Sequence, residues 1–452
     1  MRPIRYLTLT VAVIVLAGAA VFALRHRTQS SSKPPSPAAS PLAESTSPAT
    51  ALVLTSLGGS EKIDAEIAAL QAKVRETPTS APALERLGWA FVTKARLAND
   101  PGFYKLAEQC AVAIGGIAPH DPGADLLRGH IDHALHRFHD AEAIARRLTG
   151  TRDFVFDYAL LGDALMEQGK LPEAVEAYQK MVDLKPCLQT YSRVAHMRWL
   201  KGDLPGAIAA ARLAVSSGTP REPEPLAWAA TRLSFYLLQQ NELAPALAAT
   251  DEALHYAPNY APALLSRGRI FLAQNDLRHA AESLKIAAQL SPLPEYLWTY
   301  AEAARADGQA SEADAAERTL SQTGAANDPR TFALFLASRG LEAPVALQLA
   351  RAELKERADV FTHDAVAWAE FASGHLEEAT TESAFALVEG TGDPRLYLHA
   401  GTIAAAAGKT PEALALLQKA NERAQALLPS ERIKLREQLA SKGEPAAHTS
   451  SR

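Results

Sequence analysis

Residues 155–186 read "VFDYALLGDALMEQGKLPEAVEAYQKMVDLKP". Apolar side chains return at helical spacing on both sides of a break at Gly169-Lys170, and a proline, Pro186, closes the stretch. This is the pattern of two amphipathic helices joined by a tight turn. Gly162 in the first helix and Ala174 near the start of the second are small. Two antiparallel helices approach closely only where neither carries a bulky side chain, so these residues mark a crossing. Pro186 ends the second helix because it lacks an N–H and clashes with the preceding turn.

Working outward, Ala174 is one of a series: Ala107, Ala141, Ala174, Ala207, Ala246, Ala280, Ala313, Ala346, Ala379 and Ala413, spaced 33 or 34 residues apart with one gap of 39. Gly129, Gly162, Gly268 and Gly401 lie twelve residues before members of the series, and Pro119, Pro186, Pro258 and Pro292 twelve after. A period this regular is the signature of a stacked array. The pattern resembles the tetratricopeptide repeat, with residues 155–186 as the nearest match. Phrases such as "DPGFYKLAEQC" (100–110) and "YLHAGTIAAAAGK" (397–409) resemble bacterial proteins of that type. The resemblance implies an all-α, right-handed α-solenoid of about ten helix pairs over 81–428. A leading helix is expected within 59–80, a C-terminal capping helix within 429–442 and a disordered tail over 443–452. Two departures stand out: a spacing of 19 residues from Gly88 to Ala107, read as a longer turn, and the proline-rich "SSGTPREPEP" (216–225) inside the 39-residue gap.

The repeat also disposes of an apparent nucleotide motif. Gly408-Lys409-Thr410 ends like a phosphate-binding loop, but the position five residues before Gly408 is Ile403 where that loop requires glycine. Gly408-Lys409 instead repeats the turn at Gly169-Lys170.

The net charge of −5 and pI near 6.3 offer no basic surface for nucleic acid, and none is expected as a partner. Cys110 and Cys187 are too few and too far apart for a zinc site, and a disulfide between them has no motif to support it. No GxSxG, HExxH or GxGxxG motif is present, so no enzyme and no cofactor are expected.

At the N-terminus, residues 6–24 carry no charge and are flanked by Arg2, Arg5, Arg25 and Arg27. About 20 apolar residues are enough to cross a hydrocarbon core. The expectation is a signal-anchor helix within 1–27, a Ser/Pro/Ala-rich disordered linker over 28–58, and a repeat region held outside the cytoplasm at the cell membrane. If the segment is cleaved at its small residues, the product is secreted or periplasmic.

Two groups of residues could carry function. "HIDHALHRFH" places His130, His133, His136 and His139 three apart, so that neighbours face one another and His130, His133 and His136 become weak metal-ligand or pH-sensing candidates. The second group follows from the resemblance, which implies that the first helix of each pair lines a concave groove. Its ligand-facing positions fall here on Trp89, His130, His133, Asp163, His196, Trp199, Trp228, Phe235, Arg269, Trp298, Glu302 and Arg305. Tryptophan and arginine are over-represented at binding hot spots. The function expected is a membrane-anchored scaffold that holds other proteins or peptides, in cell-envelope assembly or organisation. The alternative is a metal- or pH-responsive binder built on the histidine row.

Overall fold

The computed structural model describes residues 47–441 apart from 60 and 99, and the regular elements among them are all helical. A short helix α1 (Pro48–Val53) and a longer α2 (Lys62–Glu76) lead into ten helix pairs. The first four pairs are α3 (Ala81–Ala98) with α4 (Gly102–Ile117), α5 (Pro122–Ala134) with α6 (Phe138–Thr149), α7 (Val155–Glu167) with α8 (Leu171–Leu184), and α9 (Leu188–Leu200) with α10 (Leu204–Ser216). Next come α11 (Pro223–Gln239) with α12 (Leu243–Tyr256), α13 (Ala261–Ala273) with α14 (Leu277–Leu290), and α15 (Pro294–Ala306) with α16 (Ala310–Asn327). The last are α17 (Pro329–Arg339) with α18 (Ala343–Leu354), α19 (Val360–Ala372) with α20 (Leu376–Leu387), and α21 (Pro394–Ala406) with α22 (Thr410–Asn421). A 3-10 turn (Ala424–Ala426) and α23 (Pro429–Ser441) complete the described chain.

The small residues do what their period requires. All ten marker alanines are fully buried at 0% exposure. A Cβ on Gly162 would come within 2.3 Å of the Tyr178 ring, and one on Gly268 within 2.4 Å of Leu284 Cγ. Five residues before most of the marker alanines the backbone turns left-handed. Gly169, Gly202, Gly308, Gly374 and Gly408 take φ of 72–82° there, while His136, Asn241 and Asn275 take 59–64°. Glycine and asparagine reach this region at least cost, and His136 is a turn residue by the same rule. The extra residues of the first pair lengthen α3 to 18 residues, so a longer helix stands where a longer turn was expected. Much of the 39-residue gap is likewise taken up by the 17-residue α11.

First helices of consecutive pairs touch one another repeatedly, which puts them on the inside of the curve. The curve then closes on itself. Arg357, just before α19, pairs with Glu167 at 2.5 Å. Lys201 pairs with Glu389, and Thr391 Oγ1 donates to the Leu200 carbonyl at 2.7 Å. Gln425 Nε2 donates to the Leu238 and Gln239 carbonyls at 3.1 Å each, and Arg432 to the Leu272 carbonyl at 3.0 Å. The last carbonyls of a helix have no partner within it. Those of α9, α11 and α13 find theirs on segments 160 to 191 residues away.

Several N- and C-terminal expectations meet the structure here. Residues 1–46 and 442–452 lie outside the described residues, and with them the expected span at 6–24 and the expected tail. Among the described residues no helix is long and apolar enough to cross a membrane. This corrects the expectation of a single-pass membrane protein, and a cell-envelope role has no support in the described residues. The end of the stretch expected as linker is the helix α1. It packs on α4, and Gln71 of α2 pins it by donating to the Val53 and Thr55 carbonyls at 2.7 and 2.9 Å. Cys110 and Cys187 are free thiols.

Candidate functional site

Closure of the stack leaves a cavity of about 480 Å3 between the first helices of its middle and the segments that fold back over them. Helical spacing sets one wall. His196 and Trp199 share a face of α9, and Arg232 and Phe235 share a face of α11, three residues apart in each case. Arg269 of α13 and Trp298 of α15 continue the wall, while Phe361, Arg395 and Glu431 face them from α19, α21 and α23.

Aromatic rings interlock along it. Trp199 is stacked by His196 and Phe361 at centroid distances of 5.4 and 5.6 Å and meets the edge of Phe235 at 5.1 Å. Its Nε1 donates to Gln239 Oε1 at 2.7 Å. Trp298 lies under the Arg395 guanidinium, 5.2 Å from the ring centroid, and its buried Nε1 has no acceptor among the described residues.

Charge on the wall is largely matched. Six carboxylates and five arginines line the cavity. Glu167 is held by Arg357, Asp359 by Arg330 at 3.0 Å, Glu295 by Arg269 at 3.0 Å, Glu431 by Arg395 at 2.6 Å, and Glu389 by Lys201. Asp393 caps α21 by accepting from the Arg395 backbone N–H at 2.9 Å, and burial pushes its carboxyl up despite the Arg395 charge. Arg232 is the exception. Among the described residues it makes no ion pair; one guanidinium nitrogen donates to His196 Nδ1 at 2.9 Å and to Tyr236 Oη at 3.1 Å. Burial, reinforced by the Arg232 charge, lowers the His196 pKa to about 3. The imidazole is therefore neutral, and because Arg232 can only donate to Nδ1, the ring proton sits on Nε2.

Of the twelve groove residues expected from sequence, His196, Trp199, Phe235, Arg269 and Trp298 line this cavity. The others serve elsewhere. Trp89 packs on His130 at 5.2 Å, and burial, with the Arg96 charge, takes His130 down to about 3. Asp163 accepts from Tyr178 Oη at 2.7 Å and pairs with Arg193 at 2.6 Å; burial would raise its carboxyl, but Arg193 outweighs that and holds it low. Trp228 is 37% exposed. Arg305 pairs with Asp314 and Glu317 at 2.8 Å each, away from the cavity. Glu302 accepts from the backbone N–H and hydroxyl of Ser430 at 3.0 and 2.8 Å, so the chain's own α23 occupies the groove position expected for a partner. The histidine row is taken up by packing: His133 meets Phe138 edge-on at 5.3 Å, His136 stacks on the same ring at 5.5 Å, and His139 reaches the Lys355 carbonyl at 3.4 Å. Among the described residues no three His, Cys, Asp or Glu side chains are placed to hold a metal ion.

Helix pairs of this period, with buried small residues at each crossing and first helices on the inside of the curve, define the architecture. The fold is a tetratricopeptide-repeat solenoid. Solved structures of similar architecture include MamA (19% identity, covering 36% of this chain and 93% of that one, TM-score 0.30) and pilF of Pseudomonas aeruginosa (15% identity, 48% and 96%, TM-score 0.38). The human IFIT1 dimer with m7Gppp-AAAA matches at 14% identity over 69% of this chain and 72% of its own, TM-score 0.46. No protein-family model matches the chain, and no curated protein matches it.

Sequence reasoning missed Arg232, Phe361, Arg395 and Glu431. Arg232 stands four residues after Trp228 and three before Phe235, so the spacing on α11 held a signal for it. The other three come from the folded-back segments, and nothing local in the sequence pairs α19, α21 or α23 with α9 to α15.

Proposed function

We propose that the chain is a non-catalytic binding scaffold that engages another protein through its concave interior. The observation that carries this reading is the convergence of rings from four different pairs, Trp199, Phe235, Trp298 and Phe361, on one cavity of about 480 Å3. That volume lies within the range of ligand pockets. Side chains bordering an open volume forgo dispersion contacts that an occupant supplies, and aromatic anchors give much contact area at little entropic cost. The partner would insert an apolar side chain among the rings, with polar groups at the helix ends setting its register.

A photo-crosslinking amino acid placed at Phe235 tests this, with Ile286 on the second helix α14 as the control for the outer surface. Ile286 is 46% exposed. The reading predicts an adduct with a second polypeptide from position 235 and none from 286. Adducts from both positions alike, or only intrachain products from 235, would overturn it.

A further inference from the structure

We infer that the cavity holds an organic oxyanion carried on an apolar or aromatic body, with Arg232 as its counter-charge. This rests on the cavity being a binding site and adds the chemistry of what enters it. Three observations converge. First, Arg232 is the one cavity arginine without a carboxylate partner among the described residues, whereas Arg269, Arg330, Arg357 and Arg395 each have one. One of its nitrogens is committed to His196 and Tyr236, and its guanidinium lies 4.8 Å from the Phe235 ring centroid, which fixes it at the aromatic wall. The rest of the fork remains for a ligand, and a guanidinium recognises planar oxyanions with two parallel donors.

Second, His196 lies on the same wall, bonded through Nδ1 to Arg232. The His196 Nε2–H, fixed by the tautomer that Arg232 imposes, adds a further donor on the same wall. A donor that a bound ligand covers but does not satisfy is costly, so a ligand that accepts is favoured there over one that donates. Third, Trp199, Phe235, Phe361 and Trp298 line the same cavity, so the ligand body is apolar. Of the cavity's acidic groups, Asp393 alone lacks, among the described residues, a basic side chain in salt-bridge contact, and burial raises its pKa.

The test is titration of the full chain with four probes sharing one body: 4-phenylbutyrate, 4-phenylbutyl phosphate, neutral 4-phenylbutanol and cationic 4-phenylbutylamine. Binding is read by tryptophan fluorescence and by thermal shift. The two anionic probes distinguish carboxylate from phosphate as the preferred head group. At least one anion is expected to bind at least about tenfold tighter than the alcohol and the amine, and Arg232→Gln to abolish that preference while Arg232→Lys keeps part of it. Far-UV circular dichroism reports whether the variants fold, and the ranking of probes on the unaltered chain stands without them. Equal binding of alcohol, amine and anions, an unchanged preference in folded Arg232→Gln, or no binding of any probe would overturn the inference. Crosslinking from Phe235 is read separately, so loss of the anion site leaves the scaffold reading to its own test.

Discussion

At the scale of single residues, close approach decides where side chains are forbidden. Tyr178 is held against Gly162 by its hydroxyl's bond to Asp163, so the ring cannot swing away from a new methyl group. Gly162→Val should therefore destabilise the fold by about 1–3 kcal/mol, as overpacking does, measured as a lower urea midpoint with an unchanged slope. A change within error would contradict the packing described. Titration gives a second prediction. His130 and His196 are held at about 3 in the fold, against an ordinary 6.5. The unfolded chain takes up protons below pH 6.5 that the folded chain refuses, so their contribution is complete above 6.5 and declines between 6.5 and 3. The urea midpoint should fall between pH 7 and pH 5, and His196→Gln should shrink that fall. An unchanged midpoint in the parent protein would count against the burial of both imidazoles. The same shift removes His130 as a sensor in the physiological range, which the spacing of the four-histidine row could not reveal. Spacing records which residues share a face, but not what packs over it.

The helices themselves were largely legible. Small residues at the crossings and proline after four of the second helices are local rules, and Pro119, Pro186, Pro258 and Pro292 each stand two residues beyond the end of their helix. The left-handed turn was readable where it is glycine and hidden where histidine or asparagine fills it. Gly374, at φ 82° with no atom within 4 Å of where a Cβ would stand, isolates the backbone cost. Gly374→Ala should cost about 1–2 kcal/mol and Gly374→Asn less, because asparagine tolerates this region. Equal effects of the two substitutions in thermal melts would show that backbone conformation is not what glycine supplies there. The cavity was legible only on one side: the family resemblance pointed to His196, Trp199, Phe235, Arg269 and Trp298 on the first helices, but nothing local pointed to the elements opposite them.

On the scale of the whole molecule, long-range closure turns a groove into a cavity, and no local pattern announces it. The folded-back segments supply hydrogen bonds to the ends of the first helices and place α23 against α15 and α21. Ending the chain after residue 427 would strip Ser430 from Glu302 and Glu431 from Arg395. The truncated protein should keep its helical spectrum but melt several degrees lower, since leaving buried charges without partners is costly. An unchanged melting temperature would mean that α23 contributes nothing to the closed form.

Zero-length carbodiimide crosslinking of the native chain, followed by peptide mass spectrometry, tests the closure most directly. The ion pair of Lys201 with Glu389 joins residues 188 apart, while Lys170 with Glu142 at 2.7 Å and Lys285 with Glu312 at 3.0 Å join neighbouring pairs and serve as internal standards. The closed solenoid predicts an isopeptide bond between Lys201 and Glu389 alongside the two standards, lost when the chain is unfolded in urea. Recovery of the standards without the Lys201–Glu389 product would contradict the closure and the cavity it encloses.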